Sequence, residues 1–330
     1  MDANPGWTRA PWAGVPPLGA CPPLHLGPPW GEGAFPHSAV TAEPGLRRQV
    51  DLTVPAGTVR LWLDGSGTPL LVLLHGAGDS GLAFAQTARS LLALRACRLA
   101  AFDSRGHGAT RLAAETDLRV ETLVADARAV VQALLSAAAA EDGRTPPLVL
   151  VGHSLGGVVA TRLAAEDAFA TLAGLAVLDV VEGSALAAMG AMRATLARRP
   201  LTFPSMAAAA RWARRGESDA AFRAQLVASG DESVAWRCDL LATEPFWKGW
   251  FTGLSAAFLA RPRLPKLLIL TACDTLDGPL TTAQMQGRFQ AVFLPGATHD
   301  LPTSAPVAVA AALHSFLHRL ASAHCGTDTA

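Results

Sequence analysis

Apolar and polar residues follow one another along much of the chain in patterns that predict strands and helices in turn. Runs of four or five apolar residues are typical of strands buried on both faces of a sheet. Longer stretches with apolar residues three and four positions apart are typical of helices that bury one face. The predicted strands are 49–54, 59–63, 70–74, 98–102, 148–151, 175–178, 266–271 and 291–294, and the predicted helices are 82–94, 121–140, 155–165 and 306–320.

This alternation of strand and helix is typical of the α/β class, and it predicts a mostly parallel, doubly wound sheet with helices on both faces. The alternation stops at Val181, and residues 184–260 carry only helical patterns and loops, without a buried strand. An insertion between two parallel strands would lie over the carboxyl ends of those strands. We therefore expect a helical lid at about 184–260.

The two ends of the chain lack such patterns. Residues 1–48 hold ten of the 23 prolines and show neither strand nor helix periodicity. This composition predicts a disordered N-terminal segment rich in proline and glycine. The α/β domain should then span 49–323, and residues 324–330 should form a disordered tail.

Charge and composition exclude several classes of partner. Lys and Arg together number 27, as do Asp and Glu, so the formal net charge is zero. Binding of nucleic acid or of an anionic membrane through bulk charge needs a basic excess, so we expect neither partner. The chain has no run of 18 apolar residues and no basic segment before an apolar core, so we expect no transmembrane helix and no secretory signal.

The cysteines are scattered and contain no Cys-x-x-Cys pair. In a chain of this length they predict reduced thiols and a cytoplasmic or nuclear location, or both. They are Cys21, Cys97, Cys238, Cys273 and Cys325.

The most informative stretch is an apolar strand that ends abruptly at Gly152-His153-Ser154-Leu155-Gly156. Glycines two residues before and after a serine allow a tight strand-to-helix turn, and a helical pattern follows. This context is typical of a nucleophile elbow, in which the hydroxyl of Ser154 is lifted above the sheet edge. The backbone N–H of Leu155 then points to the same space and can donate to an oxyanion.

A serine hydroxyl is a poor nucleophile without a general base. His299 lies in a loop after the last strand and before the last helix, where the hydrolase order of nucleophile, acid and histidine places the base. His153 flanks the serine, but the elbow turns its side chain away. His75 and His107 follow strand ends and suit structural hydrogen bonds. These three histidines are not at metal-ligand spacing, so we expect no metal.

The carboxylate that orients the base is either Asp179 or Asp274, since each ends a predicted strand between Ser154 and His299. Spacing alone favours Asp274, which ends the strand before the histidine loop. A second oxyanion donor is the N–H of Ala77, in the glycine-rich loop after strand 70–74. That loop lacks the Lys-Ser/Thr of a phosphate-binding loop, so we expect no nucleotide and predict no cofactor.

Longer motifs lie in the predicted lid and in the loops around it, and they include Asp-Val-Val-Glu-Gly at 179–183 and Thr-Glu-Pro-Phe-Trp-Lys-Gly-Trp at 243–250. By these motifs the chain resembles the protein phosphatase methylesterases. These are α/β-hydrolases that remove the methyl ester from the C-terminal leucine of the protein phosphatase 2A catalytic subunit. The resemblance runs from about residue 70 to residue 317, and its most diagnostic stretches are 179–185, 199–203, 243–255, 265–270 and 280–290.

The resemblance implies an α/β-hydrolase fold with a helical lid and a serine carboxylesterase that forms an acyl-enzyme. It makes the protein phosphatase 2A catalytic subunit both substrate and partner. It maps the catalytic triad onto Ser154, Asp179 and His299. Spacing alone favours Asp274 as the acid, and Asp274 stays the alternative. A small-molecule carboxylesterase or lipase of the same fold, and a non-enzymatic binding protein that retains the fold, are the alternative functions.

Large apolar residues in these motifs have two interpretations. At helical spacing they are typical of a core, but they could also line a groove for a peptide tail and the phosphatase surface. Exposure of the side chains discriminates between the two. The residues are Trp247, Trp250, Phe251, Met285 and Phe289.

Overall fold

The computed structural model of the chain describes residues 38–40, 45–216, 219–272 and 276–325. Most of the predicted disordered segment 1–48 and of the predicted tail 324–330 lies outside these residues. Within the predicted disordered segment 1–48, residues 38–40 form a strand. The last helix continues to residue 325, two residues into the predicted tail.

The described residues form strands and helices in the predicted order, and all of the predicted strands and helices are present. The strands are β1 (Ser38–Val40), β2 (Arg48–Val54), β3 (Gly57–Gly65), β4 (Leu70–Leu74), β5 (Arg98–Phe102), β6 (Arg111–Leu112), β7 (Leu148–His153), β8 (Leu172–Leu178), β9 (Thr202–Phe203), β10 (Leu226–Ala228), β11 (Val234–Trp236), β12 (Lys266–Leu270) and β13 (Gln290–Phe293). The helices are α1 (Ala85–Leu92), α2 (Val120–Asp142), α3 (Leu155–Ala165), α4 (Glu182–Leu196), α5 (Met206–Ala213), α6 (Ala220–Arg223), α7 (Glu244–Phe251), α8 (Leu254–Leu259), α9 (Gly278–Met285), α10 (Leu301–Ser304) and α11 (Pro306–Cys325).

Within the described part of the chain, ten strands form one sheet in the order β1-β2-β3-β5-β4-β7-β8-β12-β13, with β6 paired to β3. The pairs from β5 to β13 along this order are parallel. The pairs from β1 to β5 are antiparallel. The predicted mostly parallel, doubly wound sheet is confirmed.

Alternate residues of the central strands point to opposite faces of the sheet and meet different helices. In β4, Leu70, Val72 and Leu74 pack in a cluster with residues of α2 and α3, whereas Leu71 and Leu73 pack with residues of α1 and α11. All five side chains are at most 1% exposed. Burial of each contributes about 1.5 to 3 kcal/mol, so both helical layers hold the sheet in place.

Helix α2 is long and apolar enough to cross a membrane by length and composition alone, which we did not expect from the sequence. Its buried residues recur at helical spacing, among them Leu123, Ala127 and Val130, and they pack in the same cluster as the sheet. Gly143 ends the helix in the left-handed conformation, with φ at 72°, and its N–H bonds to the carbonyl of Ala139. These features are those of a helix in the core of a folded domain.

The insertion between β8 and β12 contains more than helices. Strands β9, β10 and β11 form a separate antiparallel sheet in the order β10-β11-β9. The expectation of helices and loops alone is therefore wrong for this segment. Strands of two or three residues are too short for a period of two to show in the sequence.

Backbone pairing at the carboxyl ends of the strands places two candidate residues side by side. The N–H of Ser154 donates to the carbonyl of Leu178 over 2.9 Å, directly after the paired residues His153 and Leu178. In the same way, the N–H of Asp179 donates to the carbonyl of Ile269 over 2.8 Å. The ladder thus continues past β7 and β8 and fixes Ser154 and Asp179 at one edge of the sheet.

The core predicts a large effect of truncation in β7. Leu150 is fully buried, whereas Leu201 is 70% exposed. We expect Leu150→Ala to lower the free energy of unfolding by about 2 to 5 kcal/mol, because it removes apolar contacts and leaves a cavity. The matched change Leu201→Ala should alter it by less than about 0.5 kcal/mol. Urea unfolding followed by circular dichroism measures both, and equal effects would contradict the assigned core.

Candidate active site

Ser154 occupies a strained turn between β7 and α3. Its φ of 50° and ψ of −119° lie outside the regions that non-glycine residues ordinarily adopt. The two glycines of the motif allow the turn through close backbone approach. A Cβ on Gly152 would lie 2.2 Å from the carbonyl oxygen of Gly156, and one on Gly156 would lie 2.1 Å from that of Leu74. No side chain fits at either position.

His299 bridges Ser154 and Asp179. Its Nδ1 lies 2.8 Å from Oδ2 of Asp179, and its Nε2 lies 3.0 Å from Oγ of Ser154. An ionised carboxylate only accepts hydrogen bonds, so Nδ1 carries the proton and Nε2 accepts from the serine hydroxyl. The structure therefore brings together the three residues that the resemblance maps onto the triad. Asp274, the alternative acid favoured by spacing, lies outside the described residues.

Asp179 is held by more than the histidine. Its side chain is 10% exposed, and its Oδ1 accepts from both the N–H and the hydroxyl of Thr271, at 2.9 and 3.0 Å. Burial acts to raise the pKa of Asp179, but the hydrogen bonds from His299 and Thr271 outweigh it and hold this pKa below its ordinary value. The carboxylate is thus ionised at neutral pH and oriented toward His299.

Two other histidines form structural hydrogen bonds with the loops above the sheet edge. The ring of His75 bonds to the carbonyl of Gly76 and accepts from the N–H of Ser104. The ring of His107 bonds to the carbonyl of Arg105 and accepts from the N–H of Gly78. Burial lowers the pKa of His75 to about 4 and that of His107 to about 3, so both rings are neutral and each has one donor and one acceptor. The described residues show no hydrogen bond from either ring to Ser154.

The glycine-rich loop after β4 lies next to the nucleophile turn. A Cβ on Gly76 would lie 3.3 Å from Cβ of Ser154, so this loop runs directly beside the serine. Ala77 and Ser154 line the same cavity. Leu155 is the first residue of α3. The arrangement allows the backbone N–H groups of Ala77 and Leu155 to converge on a substrate oxygen.

Comparison with known proteins places this geometry in a family. The alpha/beta hydrolase family matches residues 71–312. A probable protein phosphatase methylesterase 1 of Caenorhabditis elegans is 38% identical over 281 residues, which cover 82% of this chain and 75% of that protein. Protein phosphatase methylesterase 1 of Homo sapiens is 34% identical over 315 residues, which cover 80% of each chain. The chain belongs to the protein phosphatase methylesterase family. Like that family, it is a carboxylic ester hydrolase.

A solved structure supports the fold on independent grounds. The E-2-(acetamidomethylene)succinate hydrolase superimposes with a TM-score of 0.63 at 22% identity, over 82% of this chain and 99% of that one. At such identity the similarity concerns the fold alone. The predicted α/β-hydrolase fold is confirmed.

Two cavities flank Ser154 in this member of the methylesterase family. One, of about 300 Å³, also borders Asp179 and His299, and it is lined mainly by apolar residues that include Val181, Met192 and Phe251. The other, of about 340 Å³, lies on the side of Ala77 and has a more polar lining, to which three aromatic side chains also contribute. Its polar lining outside the triad consists of Asp79, His153, Arg199, Arg215, Gln225 and Asp300.

The predicted groove of large apolar residues needs correction. Trp247 and Trp250 are each 2% exposed and Phe289 is 7% exposed, and all three pack in the main core. Side chains this buried cannot present a surface to a partner. Phe251 is also buried, at 5%, but it borders the apolar cavity, and Met285 is 85% exposed. Periodicity could not separate these residues, since a core stripe and a groove stripe have the same spacing.

Thr271, which donates twice to the candidate acid, was not predicted. Its position was a usable signal, because Thr271 directly follows β12 and therefore lies at the same sheet edge as Asp179. Arg199 was not predicted as part of the site either, and its guanidinium stacks on the ring of Trp236 at 3.3 Å from the centroid. That pair joins residues from two parts of the insertion and has no signature in the sequence.

The close backbone approach at Gly152 predicts that a side chain there lowers both stability and activity. We expect Gly152→Ala to lower the free energy of unfolding by about 1 to 3 kcal/mol through overpacking. We also expect it to reduce kcat/KM for a small ester by at least about 100-fold, because the backbone at Ser154 must shift. Urea unfolding and ester hydrolysis measure the two effects.

Gly249→Ala is the matched control. Gly249 lies in α7, and a Cβ there would meet no atom within 4 Å. This change should leave activity intact and stabilise the protein by up to about 1 kcal/mol. Full activity of Gly152→Ala would show that the elbow tolerates a side chain and would contradict the geometry.

Proposed function

We propose that this esterase hydrolyses the methyl ester of the C-terminal leucine of the protein phosphatase 2A catalytic subunit. The observation that carries the proposal is the hydrogen-bonded chain from Ser154 through His299 to Asp179, which borders an apolar cavity. The names of the relatives support the choice of substrate, since they are protein phosphatase methylesterases that match most of the chain.

The first half-reaction forms the acyl-enzyme. Ser154 Oγ attacks the ester carbonyl while His299 Nε2 takes the hydroxyl proton. The N–H groups of Leu155 and Ala77 donate to the negative charge that develops on the carbonyl oxygen. His299 then gives its proton to the methoxy oxygen, and methanol leaves.

The second half-reaction restores the serine. A water molecule gives a proton to His299 and attacks the acyl-enzyme, and the free carboxylate leaves as Ser154 recovers its proton. Asp179 remains ionised throughout, and it stabilises the imidazolium that His299 forms in both steps. Its bonds from Thr271 prevent it from turning away when His299 changes charge.

The two cavities suggest how the substrate is oriented across Ser154. The apolar cavity has the character required for a leucine side chain, since apolar residues such as Val181, Met192 and Phe251 line it beside Ser154. The polar cavity would then receive the peptide that precedes the leucine. Its guanidinium groups, from Arg199 and Arg215, can donate to backbone carbonyls of an extended tail.

Removal of the nucleophile tests the proposed reaction. We expect Ser154→Ala to slow release of methanol from the methylated phosphatase by about 10³-fold or more, because no acyl-enzyme can form. Thermal unfolding should show an intact fold. The measurement compares wild type and variant on purified, methylated phosphatase 2A.

A small ester such as p-nitrophenyl acetate, assayed in parallel, separates the proposed function from its alternatives. Hydrolysis of the small ester without demethylation of the phosphatase would favour a small-molecule carboxylesterase. A wild-type protein inactive on both substrates, whose Ser154 does not react with a fluorophosphonate probe, would favour a binding protein. Either result rejects the proposed substrate.

Paired substitutions identify the acid. Asp179→Asn should reduce kcat by about 10³- to 10⁴-fold, because the amide favours the wrong tautomer of His299 and cannot stabilise the imidazolium. Asp274→Asn should change kcat by less than about tenfold. Steady-state kinetics on the small ester measure both, and a reversed pattern would assign the acid to Asp274.

A further inference from the structure

A second group of ionisable side chains lies against the nucleophile turn. Asp79 follows the glycine-rich loop, His153 ends β7, and Asp300 precedes α10. One nitrogen or oxygen atom from each lies within 4.8 Å of the others. None of the three transfers a proton in the proposed ester hydrolysis.

His153 points an unpaired nitrogen lone pair into this group. Its Nε2 lies 2.8 Å from the carbonyl oxygen of His299, and a carbonyl only accepts, so Nε2 carries the proton. Its Nδ1 is buried, has no hydrogen-bond partner among the described residues, and lies 4.0 Å from Oδ2 of Asp79. Burial lowers the pKa of His153 to about 4, so the ring is neutral at pH 7. A buried lone pair beside a carboxyl oxygen is stabilised by a positive partner, either a proton or a bound cation.

The two carboxylates also keep one oxygen each for this space. Gln225 donates to Oδ1 of Asp79 over 2.9 Å, which leaves Oδ2 on the side of His153. Oδ2 of Asp300 accepts from Thr303 and lies 3.8 Å from Nη1 of Arg215, whereas Oδ1 is buried and has no hydrogen-bond partner in the described structure. Burial and the nearby charge of Asp300 raise the pKa of Asp79 to about 8. Asp79 therefore holds a proton at neutral pH, and a cation that binds here would displace that proton.

Gly76 leaves room in front of the imidazole. A Cβ on Gly76 would lie 2.9 Å from Nδ1 of His153 and 3.1 Å from Cε1. Any other residue would cover the lone pair. The lone pair of His153 and the oxygens of the two aspartates therefore face the same cavity.

We propose that Asp79, His153 and Asp300 bind one divalent transition-metal ion through Nδ1 of the histidine and one oxygen of each aspartate. Imidazole and carboxylate together suit Zn²⁺, whereas Mg²⁺ prefers oxygen ligands alone. The bond from His153 Nε2 to a backbone carbonyl is the support that metal-bound histidines ordinarily have. Two ligands about 2.1 Å from one tetrahedral ion lie about 3.4 Å apart, so binding requires His153 and Asp79 to approach by about half an ångström.

Spacing along the chain does not indicate this site, and the expectation of no metal rested on three histidines alone. Asp79 lies 74 positions before His153, and Asp300 lies 147 positions after it. Only the fold brings them together. The site adjoins the base, since the rings of His153 and His299 have centroids 5.1 Å apart. A cation bound there would place positive charge beside the imidazolium that His299 forms during the reaction, so we expect it to slow ester hydrolysis.

Isothermal titration calorimetry on the full chain tests the site without reference to any ester. Wild type should bind one equivalent of ZnCl₂, and MgCl₂ should bind at least tenfold more weakly. Asp79→Asn and Asp300→Asn should each weaken Zn²⁺ binding by at least about tenfold, since each removes a ligand. Saturating Zn²⁺ should slow hydrolysis of p-nitrophenyl acetate by the wild-type protein. The Asp79→Asn variant should need at least tenfold more Zn²⁺ for the same fractional slowing, measured against its own rate without metal.

Asp167→Asn is the matched control, because Asp167 is 69% exposed and pairs with Arg261 away from this group. It should bind Zn²⁺ as wild type does. Thermal unfolding of each variant establishes that it is folded. Absence of Zn²⁺ binding at 1 mM by wild type overturns the proposal. Zn²⁺ binding that is unchanged in the two site variants but lost when the cysteines are alkylated would place the zinc on thiols. That result would also overturn the proposal.

Discussion

The contact on which this structure most depends is the backbone approach between β7 and α3. Helix α3 can begin directly after Ser154 only because Gly152 and Gly156 have no side chains, since a Cβ on either would lie within 2.3 Å of a carbonyl oxygen. The serine is then held in a conformation that few residues adopt. The surrounding sheet and helices stabilise this strained turn, because parallel strands on both sides fix β7. Reactivity at Ser154 is thus a consequence of packing beneath it.

The rest of the site is positioned by hydrogen bonds to this fixed part of the sheet. Asp179 is positioned by a backbone hydrogen bond to Ile269 and by two bonds from Thr271. His299 comes from a loop 145 residues after the serine, and its side chain is 63% exposed. It is oriented by Asp179 and, through its backbone carbonyl, by His153. His299 is therefore the most exposed of the three residues, and the other two are positioned by the sheet.

Features that depend only on neighbouring residues in the chain were predicted correctly. The strand, the glycines and the helix around Ser154 are contiguous, and so the elbow was predictable from the residues alone. The acid was not, because spacing shows which strands end in a carboxylate but not which strands are neighbours. In the sheet β8 lies between β7 and β12, so the residue after β8 is the one adjacent to the serine. Burial of Trp247 and Trp250 was equally inaccessible, since periodicity shows an apolar face but not what covers it.

Two aspartates near the serine show how surroundings decide the role of a carboxylate. Asp179 receives hydrogen bonds from His299 and Thr271, and its pKa falls below the ordinary value although burial opposes this. Asp79 receives one amide donor and faces another carboxylate, and its pKa rises to about 8. The first is therefore a permanent anion suited to hold an imidazolium. The second holds a proton at neutral pH, which a metal ion bound there would displace, so a cation at this edge of the triad would act on the base beside it.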